Sequence, residues 1–447
     1  MDTHDWATAS ALIKQEHYSH FARAVAKWRP EDVAEVFRHI PLRKSKEAFL
    51  ALAEQQRVEI FVHLDVKVQH KLLHSLSKKQ DTSILAHLSP DDRAHIIGSM
   101  PVWQRGKYLK LLNSEDLQET RELLKYPDES VGRFMTPDFV AIKQSWTIRK
   151  AIAHIREVGL DSESLSVIYV TNTQGKLVDD IRLRHLIISD PKKLVKDVMD
   201  GTYISLHVYD DREEAVRLMK KYDVFSLPVI NEENTLLGIV TADDVLDIQE
   251  AEATEDFHKG ASITPLKTSY RQTSILSLYQ RRIWWLALLV GINLISSGVI
   301  EHFEEVLASA IALAFFIPLL IDSGGNTGSQ SATLMIRALA TQDVKMHEWF
   351  RVFIKELGIG ALLGVTLGLL TWGLGWFRAD GTIGIIVGLT MISIVIVANL
   401  LGAILPFILS KIKIDPAVAS APLITSIADA VGLIIYFSIA VAILGTI

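Results

Sequence analysis

The chain has 447 residues, of which 49% are hydrophobic and 22% are charged, and its formal net charge is -6. It contains no cysteine, which excludes disulfides, thiolate catalysis and cysteine-ligated metals. Residues 281–447 hold only 9 of the 46 Lys and Arg residues and 10 of the 52 Asp and Glu residues. A charged part of the chain therefore precedes an apolar part, and the length suits two to four structural units.

Residues 1–128 are predicted to form a helical N-domain. The stretches "WRPEDVAEVF" and "LSPDDRAHII" open amphipathic segments, and Pro followed by Asp in the first turn suits a helix N-terminus. We expect an all-α superhelical domain. The first twenty residues lack the apolar core of a signal peptide, so we expect this part of the chain to stay in the cytoplasm.

Residues 135–190 and 199–250 form an internal repeat. The segment "FMTPDFVAIKQSWTIRKAIAHIR" aligns with "VMDGTYISLHVYDDREEAVRLMK", which pairs Met135 with Met199 and Ala151 with Ala215. Each copy is predicted to fold as strand, helix, strand, turn, strand and helix. The pattern resembles tandem cystathionine-beta-synthase (CBS) domains, whose typical ending is present as "GIVTADD" in the second copy.

In CBS domains the Thr-x-x-Asp ending often holds an adenine nucleotide. The resemblance therefore makes Arg184 and Thr241 candidate contacts for ATP. The first copy departs from the pattern, because it has Asp179 where Gly is expected and His185 where Asp is expected.

An acidic run, "DDVLDIQEAEATED" (243–256), precedes the apolar part and contains seven acids and no base. One interpretation is a solvated helix face. The other is a set of carboxylates whose mutual repulsion is relieved by divalent cations that prefer oxygen ligands.

Five apolar segments are each long enough to cross a bilayer, which takes about 20 predominantly apolar residues. They are predicted at 283–300, 306–336, 353–377, 382–410 and 417–446. Arg378 lies on one side of the predicted membrane, and the other side has Arg281, Arg282, Arg337, Lys345, Arg351, Lys355, Lys411 and Lys413. Because positive charge marks the cytoplasmic side, we predict a cytoplasmic N-terminal half and an external C-terminus.

The second segment contains "DSGGNTGSQS" (322–331), which has no large apolar side chain. We expect its glycines to weaken the helix and free backbone groups, which survive at membrane depth only against protein or water. The alternative is that small residues simply allow close helix packing. Side-chain oxygens for a hydrated ligand would come from Asn326, Thr327, Ser329, Gln330 and Thr333.

The fifth segment carries Asp429 in an otherwise apolar run. An ionised Asp at the centre of a membrane helix costs about 3 kcal/mol on insertion scales, so such residues usually face a cavity and act on ions or protons. Thr425 lies four residues earlier and shares its helix face. A cation is the expected partner of Asp429, and the alternative is a protonated Asp bonded to a neighbouring helix.

Taken together, "LSPDDRA", the CBS pair, "EAEATEDFHK", "GGNTGSQSATLMIRALAT" and "DPAVASAPLITSIADAVGLIIYF" closely resemble the MgtE family of magnesium channels. The resemblance covers essentially the whole chain, in order. It implies a non-enzymatic homodimer in the cell inner membrane that takes up Mg²⁺, serves magnesium homeostasis and is closed by cytoplasmic Mg²⁺. It implies no nucleic-acid partner.

The resemblance also implies a multidomain architecture. The parts are an all-α N-terminal superhelical domain (1–128), tandem α/β CBS domains (129–248), a plug or connecting helix (249–280) and an α-helical transmembrane pore domain with five helices per subunit (281–447).

Carried over residue by residue, the resemblance places the central ion site at Asp429 of each subunit. The other metal-binding acids would be Asp91, Asp211, Glu213, Asp223, Asp244, Asp247, Glu252, Glu255, Asp256 and Asp415. The pore-lining residues would be Asn326, Ser329, Thr333, Ala421 and Thr425. Ser329 and Ala421 stand where asparagines can occur in the family, and His95 stands where a second acid is expected.

The mechanism expected from this resemblance uses the chemistry of the ion. Mg²⁺ dehydrates reluctantly and keeps several waters, so the pore would hold the hydrated ion. The alternative function is an ion-coupled secondary transporter of Mn²⁺, Co²⁺ or Ni²⁺. A magnesium sensor without transport is also open, whereas an intramembrane aspartyl protease using Asp322 and Asp429 would lack the GxGD and YD contexts of such enzymes.

Overall fold

The computed structural model describes residues 6–160, 162–266, 270 and 273–445. The chain divides into two compact units, Met1–Glu252 and Ala253–Ile447, and each is described by itself. The last helix of the CBS pair, Ala242–Gly260, continues past residue 248, where a domain boundary is predicted. The three boundaries between the four predicted domains remain predictions.

The first unit begins with short helices, as the turn signals predict. Their bounds are α1 Trp6–Lys14, α2 Tyr18–Val25, α3 Pro30–Arg38, α4 Ser45–Ala51, α5 Glu54–Val62, α6 Val66–Ser75, α7 Lys78–Leu85, α8 Pro90–Gly98, α9 Val102–Leu109, α10 Ser114–Leu123 and α11 Val131–Phe134. Pro30 and Pro90 stand in the first turns of α3 and α8, where a missing N–H costs nothing.

A row of phenylalanines forms the core of these helices. The rings of Phe21, Phe37, Phe49 and Phe61 contact one another edge to face along α2, α3, α4 and α5, with centroids 6.1–6.4 Å apart. All four side chains are buried. Because each helix buries one stripe, mostly against the next helix but one in the chain, the stack is the superhelix expected from the pattern.

The two CBS copies follow with the predicted order of elements. The first has β1 Ala141–Lys143, α12 Ile148–Val158, β2 Val167–Thr171, β3 Leu177–Arg182 and α13 Leu183–Ile188. The second has β4 Leu206–His207, α14 Arg212–Tyr222, β5 Ser226–Ile230, β6 Leu236–Thr241 and α15 Ala242–Gly260.

The internal repeat extends to the strand register. In each three-stranded sheet the first two strands are parallel and the last two are antiparallel. An irregularity in register falls at Val170/Thr171 in β2 and at Val229/Ile230 in β5. A buried 2.6 Å hydrogen bond between the hydroxyls of Tyr169 and Ser226 joins the two copies.

Among its described residues, the second unit contains five helices long and apolar enough to cross a membrane, as predicted. Its helices are α16 Ile275–His302, α17 Glu304–Ser309, α18 Ile317–Ala340, α19 Trp349–Arg378, α20 Gly381–Lys411 and α21 Ala421–Leu444. The helix α20 is buried along much of its length and packs against α18, α19 and α21.

One expectation about the second crossing is wrong. The glycine-containing segment 322–331 does not interrupt the helix, because α18 is continuous from Ile317 to Ala340. Gly324, Gly325 and Gly328 are instead buried against α20 and α21. The alternative interpretation, that small residues allow close helix packing, is therefore confirmed for these glycines.

Candidate ion pathway and cytoplasmic cation sites

The close packing of α18 and α21 aligns polar groups along one edge. The Ser329 Oγ lies 3.2 Å from the Thr425 Oγ1 and donates to the Ala421 carbonyl oxygen at 3.3 Å. Asn326 and Thr333 are exposed on the same helix as Ser329. We call the six residues the polar edge: Asn326, Ser329, Thr333, Ala421, Thr425 and Asp429.

Glycine makes this approach possible. A Cβ on Gly325 would lie 2.8 Å from the Thr425 Cγ2, and a Cβ on Gly328 would lie 2.9 Å from the Ile424 Cγ2. The helices can therefore approach this closely only if neither position carries a side chain.

Two other residues were predicted to offer side-chain oxygens. Thr327 is buried and donates a hydrogen bond to the Ser323 carbonyl oxygen, whereas Gln330 is exposed.

Asp429 is half-buried on α21, one turn after Thr425. Its Oδ1 is buried and has no hydrogen-bond partner among the described residues. The Asp322 carboxylate on α18 lies close enough to act on it electrostatically. Asp429 therefore has a like-charged neighbour and an unsatisfied oxygen, which together favour a cation.

Asp415 lies in the connection between α20 and α21, where an acid was predicted beside the plug. Its Oδ2 accepts a 2.6 Å hydrogen bond from Lys259, and its Oδ1 accepts from the Ala417 backbone N–H. The Lys259 Nζ also lies 2.6 Å from the Glu255 Oε1. Burial lowers the pKa of the Lys259 ammonium, but the two carboxylates outweigh this and raise it above its usual range.

The end of α15 makes a second polar contact in the same unit. The Ser262 Oγ donates to the Ser420 Oγ at 2.6 Å, just before α21 begins. Lys259 and Ser262 thus connect the end of the acidic helix to the segment that leads into α21.

Acids from three places in the first unit meet around Asp91. The Asp91 Oδ1 is buried and has no hydrogen-bond partner among the described residues. Burial raises the pKa of Asp91 to about 6, and the neighbouring Asp92 adds to the shift. Burial followed by the Asp91 charge raises the pKa of Asp244 to about 8 and that of Glu163 to about 7.

Asp91, Asp92, Glu163, Asp243 and Asp244 are called the acid cluster below. Asp91 and Asp244 were predicted as metal-binding acids, whereas the other three were not. Asp92 and Asp243 are sequence neighbours of the two predicted acids. Glu163 is far from both in sequence, and helix α8, the segment before β2 and the start of α15 meet only in the fold.

Two further predicted acids are at opposite ends of α14. The Asp211 side chain accepts from the Glu213 backbone N–H at the start of the helix, and Asp223 ends it with a left-handed backbone. Eleven helical residues separate them, which is about 16 Å at 1.5 Å per residue. Asp211 and Asp223 of one chain therefore do not share an ion.

The remaining predicted acids lie along α15, except Glu213, which lies in the first turn of α14. Glu252 is bonded by the Arg212 guanidinium, which also lies 2.6 Å from Glu129. Burial raises the pKa of Asp247, and the Glu250 charge adds to the shift. The charges of His63 and His95 act in the opposite direction. Asp256 and Glu213 have further interactions of their own.

Within the described residues, no group of three or more His, Cys, Asp or Glu side chains is arranged to hold a metal ion.

The candidate nucleotide contacts lie in different environments. The Thr241 Oγ1 donates to the Asp244 Oδ2 at 2.9 Å, so the Thr-x-x-Asp ending is internally bonded. Arg184 is exposed on α13. Asp179, which replaces the expected Gly, is buried and accepts from the Gly201 and Asp180 backbone N–H groups.

Lys259 and Glu356 were not identified from the sequence. The signal for Lys259 was a single base that follows seven acids, within the predicted plug. The signal for Glu356 was an acid inside the third predicted crossing, where ionisable residues are rare.

Comparisons with known proteins agree with these observations. Residues 28–129, 195–251 and 317–439 match the family models of the MgtE intracellular N domain, the CBS domain and the MgtE divalent cation transporter, respectively. The magnesium transporter MgtE of Thermus thermophilus is 41% identical over 74% of this chain and 73% of its own length. The chain belongs to the MgtE family. The magnesium transporter MgtE of Bacillus subtilis is 34% identical, over 79% of this chain and 78% of its own length.

A solved structure supports the fold of the N-terminal half of this MgtE-family chain. The cytosolic domain of the Mg²⁺ channel MgtE, crystallised in complex with ATP, is 28% identical and superposes with a TM-score of 0.50. The match covers 54% of this chain and 99% of that one. The all-α N-domain, the CBS fold and the five apolar helices are therefore those of an MgtE-family membrane transporter.

Proposed function

We propose that this protein is a magnesium channel of the cytoplasmic membrane that takes up Mg²⁺ and closes when cytoplasmic Mg²⁺ is plentiful. The observation that carries the proposal is the polar edge, which leads to the unsatisfied Oδ1 of Asp429. A hydrated divalent cation would supply both the opposite charge and the missing hydrogen-bond donors. The names of the relatives support Mg²⁺ as the cargo.

The proposed channel is a homodimer. The polar side chains of Asn326 and Thr333 are exposed in the single chain although they belong to an apolar helix. Polar groups facing lipid lose their hydrogen bonds, so a second copy placed against this edge would be favourable. A two-fold axis there would bring a second Asp429 to the same ion.

The polar edge suits an ion that keeps its water shell. The hydroxyls of Ser329, Thr333 and Thr425 donate and accept at short range, which matches the requirements of bound water. Stripping Mg²⁺ of water is unfavourable, so these groups would contact the waters, and the Asp429 carboxylates would supply charge. Selectivity then depends on the size of the hydrated ion.

The proposed orientation follows the distribution of basic residues. Arg337, Lys345, Lys411 and Lys413 lie in helix ends and connections on one side of the helices, and the rule that positive charge stays inside makes that side cytoplasmic. The N-terminal half would then lie in the cytoplasm, together with Asp415 and the plug.

Closure is proposed to depend on cations held by cytoplasmic acids. The acid cluster contains carboxyls that burial and mutual repulsion make unfavourable to ionise. Mg²⁺ bound there would remove the repulsion between helix α8 and the start of α15, and loss of Mg²⁺ would restore it. The two states of the gate must differ in their affinity for Mg²⁺ if the ion is to shift their populations.

Lys259 adds a fixed cation to this gate. Its ammonium bonds both Glu255 and Asp415 without any metal. We propose that this ion pair keeps the plug near α21 when cytoplasmic Mg²⁺ is low. Mg²⁺ at Asp415 would then act together with a contact that already favours closure.

Nucleotide binding is a second proposed property of the CBS pair. Asp244 is bonded by Thr241 and also belongs to the acid cluster. An adenine nucleotide at Thr241 would therefore be coupled to cations at Asp244. Isothermal titration of the full chain with ATP, at several Mg²⁺ concentrations, tests this coupling, and equal ATP affinity at all of them would contradict it.

The alternative function is coupled transport of Mn²⁺, Co²⁺ or Ni²⁺ by the same helices, with Asp429 carrying a proton. Such a transporter would move its cation in response to a pH gradient. A channel would instead follow the electrochemical gradient of the cation alone.

Patch-clamp recording in proteoliposomes tests the proposal. We expect wild-type Mg²⁺ current when cytoplasmic Mg²⁺ is chelated and its loss as cytoplasmic Mg²⁺ rises. Asp429→Ala should carry no Mg²⁺ current, whereas Glu301→Gln, at the exposed outer end of α16, should carry the wild-type current. Equal Mg²⁺ currents from wild type and Asp429→Ala would refute the proposed pore.

A further inference from the structure

A carboxylate in the third apolar helix joins three helices behind the polar edge. The Glu356 Oε2 on α19 accepts a 2.8 Å hydrogen bond from the Asn399 Nδ2 on α20 and a 3.3 Å hydrogen bond from the Ser331 Oγ on α18. The Asn399 Nδ2 also donates to the Glu356 backbone oxygen at 2.9 Å. Ser331 and Asn399 are only 4% and 3% exposed.

The surrounding helices are shaped to this contact. Gly360 lies one turn after Glu356, and a Cβ there would be 3.4 Å from both the Cβ and the Nδ2 of Asn399. The close approach of α19 to α20 thus brings the Asn399 amide to the carboxylate. An ionisable side chain within a membrane helix is expensive and usually functional, whereas an apolar residue would pack α19 at lower cost.

On α18, the Glu356 contact and the polar edge lie on opposite faces of the same helical turn. Ser329 and Ser331 are two residues apart, which places them about 200° apart around the helix. Ser329 bonds Thr425 on α21, and Ser331 bonds Glu356 on α19. Rotation of α18 about its axis would therefore break hydrogen bonds on both sides.

We infer that Glu356 is a positioning residue for ion selection, because its carboxylate fixes the rotation of α18 and hence the direction of the Ser329 and Thr333 hydroxyls. The inference rests on the proposed pore. Glu356 acts through Ser331 and Asn399 and does not contact the ion. A hydrated ion is recognised by oxygens at set positions, so a small rotation of α18 changes which hydrated ion fits.

Cysteine cross-linking tests the positioning directly, because the chain has no native cysteine. Ser329→Cys and Thr425→Cys place two thiols where the hydroxyls lie 3.2 Å apart. In the full chain in lipid nanodiscs, the rate of disulfide formation reports whether α18 keeps its rotation. We expect Glu356→Ala to slow cross-linking by about tenfold, since a hydrogen-bonded charged group is lost.

Two further variants separate positioning from simple instability. Glu356→Gln keeps an acceptor oxygen for Asn399 and Ser331, so it should cross-link at the rate of the cysteine pair alone. Ser331→Ala removes only the α18 side of the contact, so it should slow cross-linking even if Glu356→Ala fails to fold. An unchanged rate in Ser331→Ala, or equal slowing by Glu356→Gln, overturns the inference.

Ion selection provides the functional measurement. In the cysteine-free chain, we expect Glu356→Ala to lower the ratio of Mg²⁺ to Mn²⁺ flux, and Glu356→Gln to retain the wild-type ratio. An unchanged ratio in Glu356→Ala also overturns the inference. If the wild type moves no Mg²⁺, the proposed function fails, but the cross-linking rates still decide whether Glu356 positions α18.

Discussion

The carboxylates that were predicted to bind metal differ in the partners that the fold supplies. Asp415 accepts a hydrogen bond from Lys259, so it already has a cation in its own chain. Asp91 and Asp429 each keep one buried oxygen without a hydrogen-bond partner among the described residues. Because a buried polar group without a partner is costly, Asp91 and Asp429 gain more than Asp415 from binding a free cation.

Lys259 is expected to favour the closed channel. Replacing it by Gln removes the ammonium that joins Glu255 to Asp415, and the lost ion pair should amount to about 1 kcal/mol, or about fivefold in the closed-to-open ratio. We expect Lys259→Gln to raise the open-to-closed ratio by that factor with cytoplasmic Mg²⁺ chelated. Single-channel recording measures it.

A charge exchange is the control for Lys259. The double variant Lys259→Asp with Asp415→Lys restores opposite charges across the contact, so it should recover the wild-type open probability with cytoplasmic Mg²⁺ chelated. Lys259→Arg should also behave like the wild type. If Lys259→Gln opens no more often than the wild type, the ion pair does not contribute to closure.

Secondary-structure elements with a strong hydrophobic or repeated sequence pattern were predicted correctly. A feature that depends on packing against neighbouring helices was not. Five apolar segments and the repeated order of strands and helices follow from hydrophobic length and self-similarity, and both are confirmed. The glycines of 322–331 were expected to weaken α18. The helix remains whole because side chains of α20 and α21 occupy the space that the glycines leave.

The contact between α18 and α20 can be tested with a pair of glycines. A Cβ on Gly402 would lie 2.1 Å from the Gly328 carbonyl oxygen, whereas a Cβ on Gly373 would meet nothing within 4 Å. Gly402→Ala should lower the free energy of unfolding by about 1–3 kcal/mol because it overpacks the contact. Gly373→Ala should be neutral or slightly stabilising, since Ala favours helix.

Thermal unfolding in detergent measures both glycine variants. We expect a clear fall in Tm for Gly402→Ala and no fall for Gly373→Ala. Equal Tm values for the two variants would mean that α18 and α20 are not in close contact at Gly328.

The order of the domains was predicted from the sequence, but the meeting of distant acids was not. Glu163 belongs to the acid cluster because the segment before β2 folds back beside α8 and the start of α15. No local pattern distinguishes Glu163 from the many solvated acids of the first 280 residues. In the same way, the sequence shows the acids of α15 as an acidic run, but only the structure shows that Arg212 forms an ion pair with Glu252.

The proposed dimer makes a prediction that a single-chain pore does not. If two Asp429 carboxylates surround one ion, a subunit with Asp429→Asn should disable its wild-type partner. Co-expression of wild type and Asp429→Asn at equal levels yields wild-type homodimers as about one quarter of all dimers, so Mg²⁺ uptake should fall to about one quarter. Separate pores in each chain would leave about one half of the uptake.

Differently tagged subunits, purified through both tags, give the mixed dimers alone, and we expect these to carry little Mg²⁺ in proteoliposomes. Mixed dimers with half the wild-type flux would contradict a shared central site, because each chain would then conduct through its own Asp429.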